Sequence, residues 1–414
     1  MMKIGVLTFL HVSNFGANLQ AFSTYMYLKN HGHEPVYLDY SSGITEFYKK
    51  MTLWKRHLLD QSLNPQDKEH LHFVDKMIDE QIHGLRNIRD VRNAVLSCNL
   101  DGVIVGSDAV AQHWPFGSTW KIGKHRPFWI EPMQPERRFP NPFWGCGYAN
   151  KIPTAMMSVS SQNSKYFLFG KRTLKKMASQ LELMTYISVR DTWTRDMMHT
   201  ADPELNITVT PDPVFALNQN AFKLLPSEEA LRKKFNLPPH YVLVGLRSQV
   251  FSNKELSELD ELMGKEGKRC VAFCIDGVYN YKHPFKYQIP IPISPLDWFA
   301  LIKYADAYVG SNMHPIVSCL SNAVPCYSLD NWGATNFWGK KILSKSSKVY
   351  DVLSQYGLTD YWCSIENGKC NTTVEEIIEK LHNFPTDIVK QISIKRVNVY
   401  KNMMERIISS FGKE

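Results

Sequence analysis

The 414-residue chain has no run of about 18 apolar residues, so no membrane-spanning helix is expected. Its N-terminus enters a short apolar stretch directly, with no basic segment or small-residue cleavage site ahead of it. The expected setting is therefore cytoplasmic. Eight cysteines are too few for a disulfide framework. Cys270 and Cys274 form an isolated C-x3-C, and Cys319/Cys326 and Cys363/Cys370 are C-x6-C. No second pair completes a zinc or iron–sulfur pattern, so the thiols read as small buried hydrophobes in a reducing compartment. No metal is expected. There is no short-period repeat and no basic nucleic-acid motif, and positive charge is spread along the chain. Nucleic acid is accordingly a poor partner.

What is present is the composition of an ordinary globular protein, 44% hydrophobic and 21% charged. At about 100–200 residues per domain, the length fits two domains. A formal net charge of +8 favours anionic partners such as a phosphorylated metabolite or an anionic lipid.

Lys3 to Phe9 reads as a buried strand and Ala17 to Lys29 as a helix stopped by Gly32; Pro35 to Tyr40 reads as the next strand. This β–α–β start predicts a parallel sheet. Residues 45–98, rich in His, Lys and Asp, read as a helical insertion. Gly102 to Gly106 resumes the sheet. The proline- and aromatic-rich stretch 113–153 reads as a long ordered loop. Its Trp114, Trp120, Phe128, Trp129, Phe143, Trp144 and Tyr148 could stack on sugar rings or pack on one another. Ala155 to Val159, Tyr186 to Val189 and Ile207 to Thr210 complete a first α/β unit over 1–217. A second unit, 218–385, carries strands at Tyr241 to Leu246, Arg269 to Ile275, Ala307 to Ser311 and Pro325 to Leu329; a C-terminal helix fills 386–414. The expected fold class is α/β, two Rossmann-like domains with parallel sheets and a cleft between them.

Ligands of open α/β sheets bind beyond the carboxyl ends of the strands. Small, polar or titratable residues recur there. Asn14, Gly16 and Asn18 follow the first strand, Ser107 and Asp108 follow "GVIVG", and Arg190 follows "YISV". Pro211, Asp212 and Pro213 follow "ITVT", and Arg247 follows "YVLVGL". Gly310, Ser311, Asn312 and His314 close the last turn. Arg190 and Arg247 can fork onto carboxylate or phosphate oxygens; the alternatives are that Arg190 pairs with Asp191 or caps the sheet, and that Arg247 is an exposed strand-end charge. His314 can exchange a proton near neutral pH, or simply be a satisfied helix-start residue.

The segment "KIGVLTFLHVSNFGANLQAFSTYMYLKNHGHEPVYLDY" resembles the opening of the polysaccharide pyruvyl transferases. "GVIVGSD", "YISVRD", "TPDPVFAL" and "SPLDWFALIKYADAYVGSNMHPIVSCLSNAVPCYSLD" occur in that family's order, across residues 3–329. The resemblance implies a glycosyltransferase-B-like pair of domains. It also implies transfer of the carboxyvinyl carbons of phosphoenolpyruvate onto a sugar as a cyclic pyruvate ketal, with no cofactor. Catalytic and donor-binding positions would fall on Arg190 and His314, with Asn14 and Gly16 in the first loop. Two departures stand out. Where many members read Arg-Leu-His, this chain has Asn312-Met313-His314, and the usual "GSDQVW" reads Gly106 to Ala111 as "GSDAVA".

On this reading Arg190, the turn 310–315 and Arg247 hold the donor, His314 is the acid or base, and Asp108 is a second such group. Ser107, Asn18, Gly310, Ser311 and Asn312 complete the binding set. The acceptor is a sugar, in one form lipid-linked, and "YKKMTLWKRHLL" (48–59) is a candidate for contact with an anionic membrane surface or an ordinary solvated helix face. The competing readings are a nucleotide-sugar glycosyltransferase of the same architecture and a non-catalytic member. The first lacks an evident carboxylate pair after residue 330; the second draws on the arginine missing at Asn312.

Overall fold

A computed structural model describes residues 1–45, 64–123, 126–247, 249–330, 332–334, 342, 346–366 and 368–412. The first half forms β1 (Lys3–Leu7), β2 (Glu34–Tyr40) and β4 (Gly102–Val105) from its apolar runs, and β3 (Gln81–Leu85) from a more polar one. An antiparallel hairpin, β5 (Ser118–Gly123) and β6 (Arg126–Pro132), intervenes before β7 (Thr154–Val159), β8 (Tyr186–Val189) and β9 (Thr208–Val209). Outside that hairpin the strands make one parallel seven-stranded sheet, ordered β3-β2-β1-β4-β7-β8-β9. The second half supplies β10 (Tyr241–Gly245), β11 (Arg269–Ala272), β12 (Tyr287–Gln288), β13 (Ala307–Gly310), β14 (Cys326–Asp330) and β15 (Trp362–Ser364). These form a parallel six-stranded sheet, ordered β12-β11-β10-β13-β14-β15. Strands such as "GVIV" and "YVLVG" are buried along their whole length, as a parallel sheet covered on both faces requires.

Both sheets reverse direction of growth at their first strand. β1 lies between β2 and β4, and β10 lies between β11 and β13. These are the switch points where a crevice opens beyond the strand ends. Helix α1 (Phe15–Asn30) follows β1, with the Asn14 side chain accepting a 2.7 Å hydrogen bond from the Ala17 amide as its cap. The long helix Thr386–Ser409 returns from the second half and packs against β7 and β8 of the first. Among the described residues no helix is long and apolar enough to cross a membrane.

Two expectations need correction. The insertion over 45–98 is not wholly helical: between the helices Pro65–Met77 and Ile88–Ser97, "QIHGL" adds β3 as an edge strand beside β2. Only Leu85 of that strand is buried, so no apolar alternation announces it. The stretch 113–153 is not an irregular loop but holds the hairpin and two 3-10 turns, Pro135–Arg137 and Pro142–Trp144. Pro135 and Pro142 each open a turn, where a missing N–H costs nothing. Phe143, Trp144 and Tyr148 are buried in the core, so they are not sugar-stacking surfaces. Trp144 packs edge-on to Phe139 and Phe143 edge-on to Phe9. The segment 48–59 lies outside the described residues. All eight cysteines are free thiols, five of them buried.

Candidate active site

A cleft of about 1280 Å³ lies where the carboxyl ends of the two sheets meet. Its walls come from the segments after β1 (including His11 and Asn14), β4 (Asp108), β10 (Arg247), β11 (Asp276), β13 (Asn312, His314) and β14 (Trp332).

His314 is the second residue of the helix Met313–Asn322 and is 9% exposed. Asn312, just before that helix, has φ 76° and ψ 155°, a backbone conformation that residues other than glycine rarely adopt. One strand end earlier, a Cβ on Gly310 would lie 2.2 Å from the Gly245 carbonyl oxygen, so only glycine lets β13 and β10 approach there. The imidazole lies directly on α1: a Cβ on Gly16 would fall 1.9 Å from its Nδ1. The Gln20 amide nitrogen is 3.2 Å from His314 Nε2 and also donates to Asp212 Oδ2. The ring nitrogens face one carboxylate each, Nε2 at 3.9 Å from Asp212 and Nδ1 at 3.8 Å from Asp276. With the amide assigned this way, Gln20 donates to Nε2. Asp276 also receives the Phe15 amide of α1 at 2.6 Å, which ties the second half to the start of the first helix.

Arg190 lies beneath this array. Its NH1 donates to Asp212 Oδ2 at 2.8 Å, and its NH2 is 3.8 Å from Asp108. Burial alone would lower the guanidinium, but Asp212, Asp108 and Asp191 outweigh it. Its Nε and NH2 have no hydrogen-bond partner among the described residues. For Asp108, burial pushes upward, but Arg190, Lys348 and His314 prevail and hold the carboxyl below its ordinary value.

Arg137, Arg247 and Lys348 bring positive charge to the cleft wall itself, the last two from the same half as His314. Arg247 donates from Nε to Asn312 Oδ1 at 3.0 Å and from NH2 to the Asp276 carbonyl at 2.8 Å. It lies 5.1 Å from the centroid of the Trp332 ring, a cation–π contact. Asn312 also donates to the Asp276 carbonyl at 3.2 Å. Its short amide thus holds the guanidinium of Arg247, which follows β10. Lys348 opens the helix Lys348–Ser354 and keeps some solvent exposure. Desolvation, aided by repulsion from Arg190, pulls its pKa down to about 8.

Among the residues singled out from sequence, Asn14, Asp108, Arg247, Asn312 and His314 line the cleft. Gly16, Ser311 and Arg190 do not line it but lie against residues that do, His314, Arg247 and Asp108 respectively, and Gly310 packs on the Gly245 carbonyl. Ser311 accepts the Arg247 amide at 3.3 Å. Asn18 and Ser107 are engaged inside the protein instead. Asn18 meets His70, whose burial draws its pKa to about 4, and Ser107 donates to the Ser158 carbonyl at 2.8 Å. Arg190 and His314 do meet, through the shared Asp212 carboxylate. The strand-end rule had picked out Asp212 but gave it no role, and sequence reasoning missed Gln20, Asp276, Trp332 and Lys348 as site residues. Asp276 directly follows an expected strand and could have been found by the same rule. Lys348 starts a helix far from any strand end and carries no such signal.

A family model described as polysaccharide pyruvyl transferase matches residues 14–333. No curated protein sequence matches. Among solved structures, the chain is similar to UDP-GlcNAc 2-epimerase from Neisseria meningitidis bound to UDP-GlcNAc, with TM-score 0.55 and 11% identity over 99% of this chain and 100% of that one. It is also similar to S. aureus MnaA in its UDP co-structure, with TM-score 0.51 and 10% identity over 99% and 95% of the two chains. At such identities the likeness establishes the fold: two Rossmann-like domains in a glycosyltransferase-B-like arrangement.

Proposed function

The chain belongs to the polysaccharide pyruvyl transferase family, and on that premise we propose that it moves the enolpyruvyl carbons of phosphoenolpyruvate onto two hydroxyls of one sugar, closing a pyruvate ketal. The observation that supports this reading best is a proton-exchanging group, His314, on the same cleft wall as two cations, Arg247 and Lys348. A small substrate carrying both phosphate and carboxylate needs that combination.

In this mechanism Arg247 and Lys348 hold the anionic groups of the donor. His314 gives a proton to the methylene carbon, which becomes the methyl group. The adjacent carbon gains oxocarbenium character and takes the first sugar hydroxyl, which loses its proton. The ester C–O bond then breaks, with its electron pair leaving on phosphate, and the second hydroxyl closes the ring and releases its proton. Asp108, held ionised, suits accepting a hydroxyl proton rather than donating one. Arg190 is a positioning residue that fixes Asp212 and, through Gln20, the His314 ring. The acceptor is a sugar of a polysaccharide or of a lipid-linked oligosaccharide.

The test is to offer phosphoenolpyruvate and nucleotide sugars with an acceptor panel that includes lipid-linked oligosaccharides. Phosphate release and the mass of the product are followed. The expected product gains one pyruvate ketal, and His314→Ala lowers phosphate release by about 10²–10⁴-fold. Consumption of a nucleotide sugar in place of phosphoenolpyruvate would replace this reading with that of a glycosyltransferase. Near-normal turnover in both His314→Ala and Arg247→Ala would remove these residues from the mechanism. Arg190→Ala is a poor probe, because it strands Asp212 without its buried partner at a cost of about 3–5 kcal/mol.

A further inference from the structure

The strand ends of the first sheet carry a second group of side chains that the transfer chemistry leaves unused. His11 follows β1, Asp39 lies in β2 and His83 in β3, so three neighbouring strands present them side by side. His11 Nδ1 is 3.1 Å from Asp39 Oδ2, and His83 Nδ1 is 3.2 Å from the same oxygen. One ligand atom from each residue lies within 4.8 Å of the others.

We propose that His11, Asp39 and His83 bind a divalent cation of the zinc class at the edge of the cleft. The distances are the first reason. Metal–nitrogen and metal–oxygen bonds of about 2.0–2.1 Å in a tetrahedron place neighbouring ligand atoms about 3.3 Å apart, close to both observed separations. The second reason is the surroundings of His11. Its other ring nitrogen, Nε2, lies 2.8 Å from Asp75 Oδ1. A carboxylate on the far nitrogen of a histidine is the usual outer partner of a metal-ligating imidazole, fixing its tautomer and raising its basicity. The third is the donor set. Two imidazoles and one carboxylate suit zinc, cobalt or nickel over magnesium or calcium, which take oxygen ligands. His83 is exposed, with 59% of its side-chain surface free, so it can swing the last distance onto the ion. Three protein ligands leave a fourth position, and His11 itself lines the cleft. The edge strand that sequence patterning did not reveal, β3, is the one that completes this set.

The test uses the full-length chain stripped with chelator and titrated with Co²⁺, read by the visible d–d bands of a tetrahedral ion. Equilibrium dialysis with Zn²⁺ gives the stoichiometry. The expected result is one equivalent per chain. His83→Ala should weaken binding by at least about tenfold with the melting temperature retained, since that side chain supports no core. Asp75→Asn should keep the stoichiometry but weaken affinity by about 10–100-fold. The proposal is overturned by absence of the cobalt bands, or by binding that His83→Ala leaves unchanged. The cluster would then be an ion-pair network in which a protonated His11 bridges Asp39 and Asp75.

Discussion

Gly16 sets the distance between helix α1 and the proposed proton donor. The added Cβ of Gly16→Ala, 1.9 Å from His314 Nδ1, cannot coexist with the ring where it stands. The imidazole must leave its place between Gln20, Asp212 and Asp276. Expected outcomes are a kcat loss of about 10²-fold or more in steady-state assays and a stability loss of about 1–3 kcal/mol from overpacking. A stability loss with kcat retained would show that the ring takes no part in chemistry. Lys348 makes a different prediction, because its pKa of about 8 is set by desolvation first and Arg190 second. Below about 8 the ammonium is charged in both folded and unfolded chains, and its desolvation cost is present. As pH rises past about 8 the folded site releases its proton before the unfolded chain does, so that cost is relieved. Lys348→Met should therefore raise stability at neutral pH, by on the order of 1 kcal/mol after allowing for partial exposure. On the proposed reaction it should also raise KM for phosphoenolpyruvate. In the unsubstituted enzyme KM should climb as pH passes about 8, and this limb should vanish in the variant. A flat KM–pH profile would exclude Lys348 from donor binding.

The elements that sequence patterning located are those whose burial dictates it. Apart from Lys3 at its start, "KIGVL" is apolar like "GVIV", "YVLVG" and "AYVG", because parallel strands covered on both faces have no polar side. β3, β12 and β15 escaped because edge strands need bury only part of their surface, and two of them span two or three residues. The proline-rich stretch misled for a related reason. Proline forbids interior strands and helices but fits turn starts and a two-stranded ribbon, so its density marks corners rather than an ordered loop without regular structure. The site was legible where residues directly follow a strand, as with Asp108, Arg247 and His314. It was illegible where a residue arrives from a helix, as with Gln20 and Lys348. Nor could sequence separate a cleft-facing cation from a buried one: Arg190 and Arg247 both follow apolar strands, yet Arg190 is 3% exposed and paired with Asp212.

The two sheets are held as one body by contacts that cross between them below the cleft. Phe15 of α1 stacks on Trp298 of the second half at 4.8 Å and 8° between planes. Trp298 in turn stacks on Phe273 and donates from Nε1 to the Cys274 carbonyl at 2.9 Å. Gln66 exchanges two 2.8 Å hydrogen bonds with the Ile293 backbone, and the helix Thr386–Ser409 carries second-half sequence back onto β7 and β8. One apolar cluster runs from Ile4 through Trp298 to Ile407. Such a continuous core couples the halves, so any opening that admits a sugar must occur at the mouth while the floor stays fixed. Trp298→Ala tests this, since it removes a fully buried ring from the junction and costs about 3–5 kcal/mol. The expected result is one denaturation transition at a lower midpoint, with amide exchange accelerated equally in β1 and β10. Two resolved transitions, with exchange rising only around β10, would instead show that each half folds on its own and that the junction can hinge during catalysis.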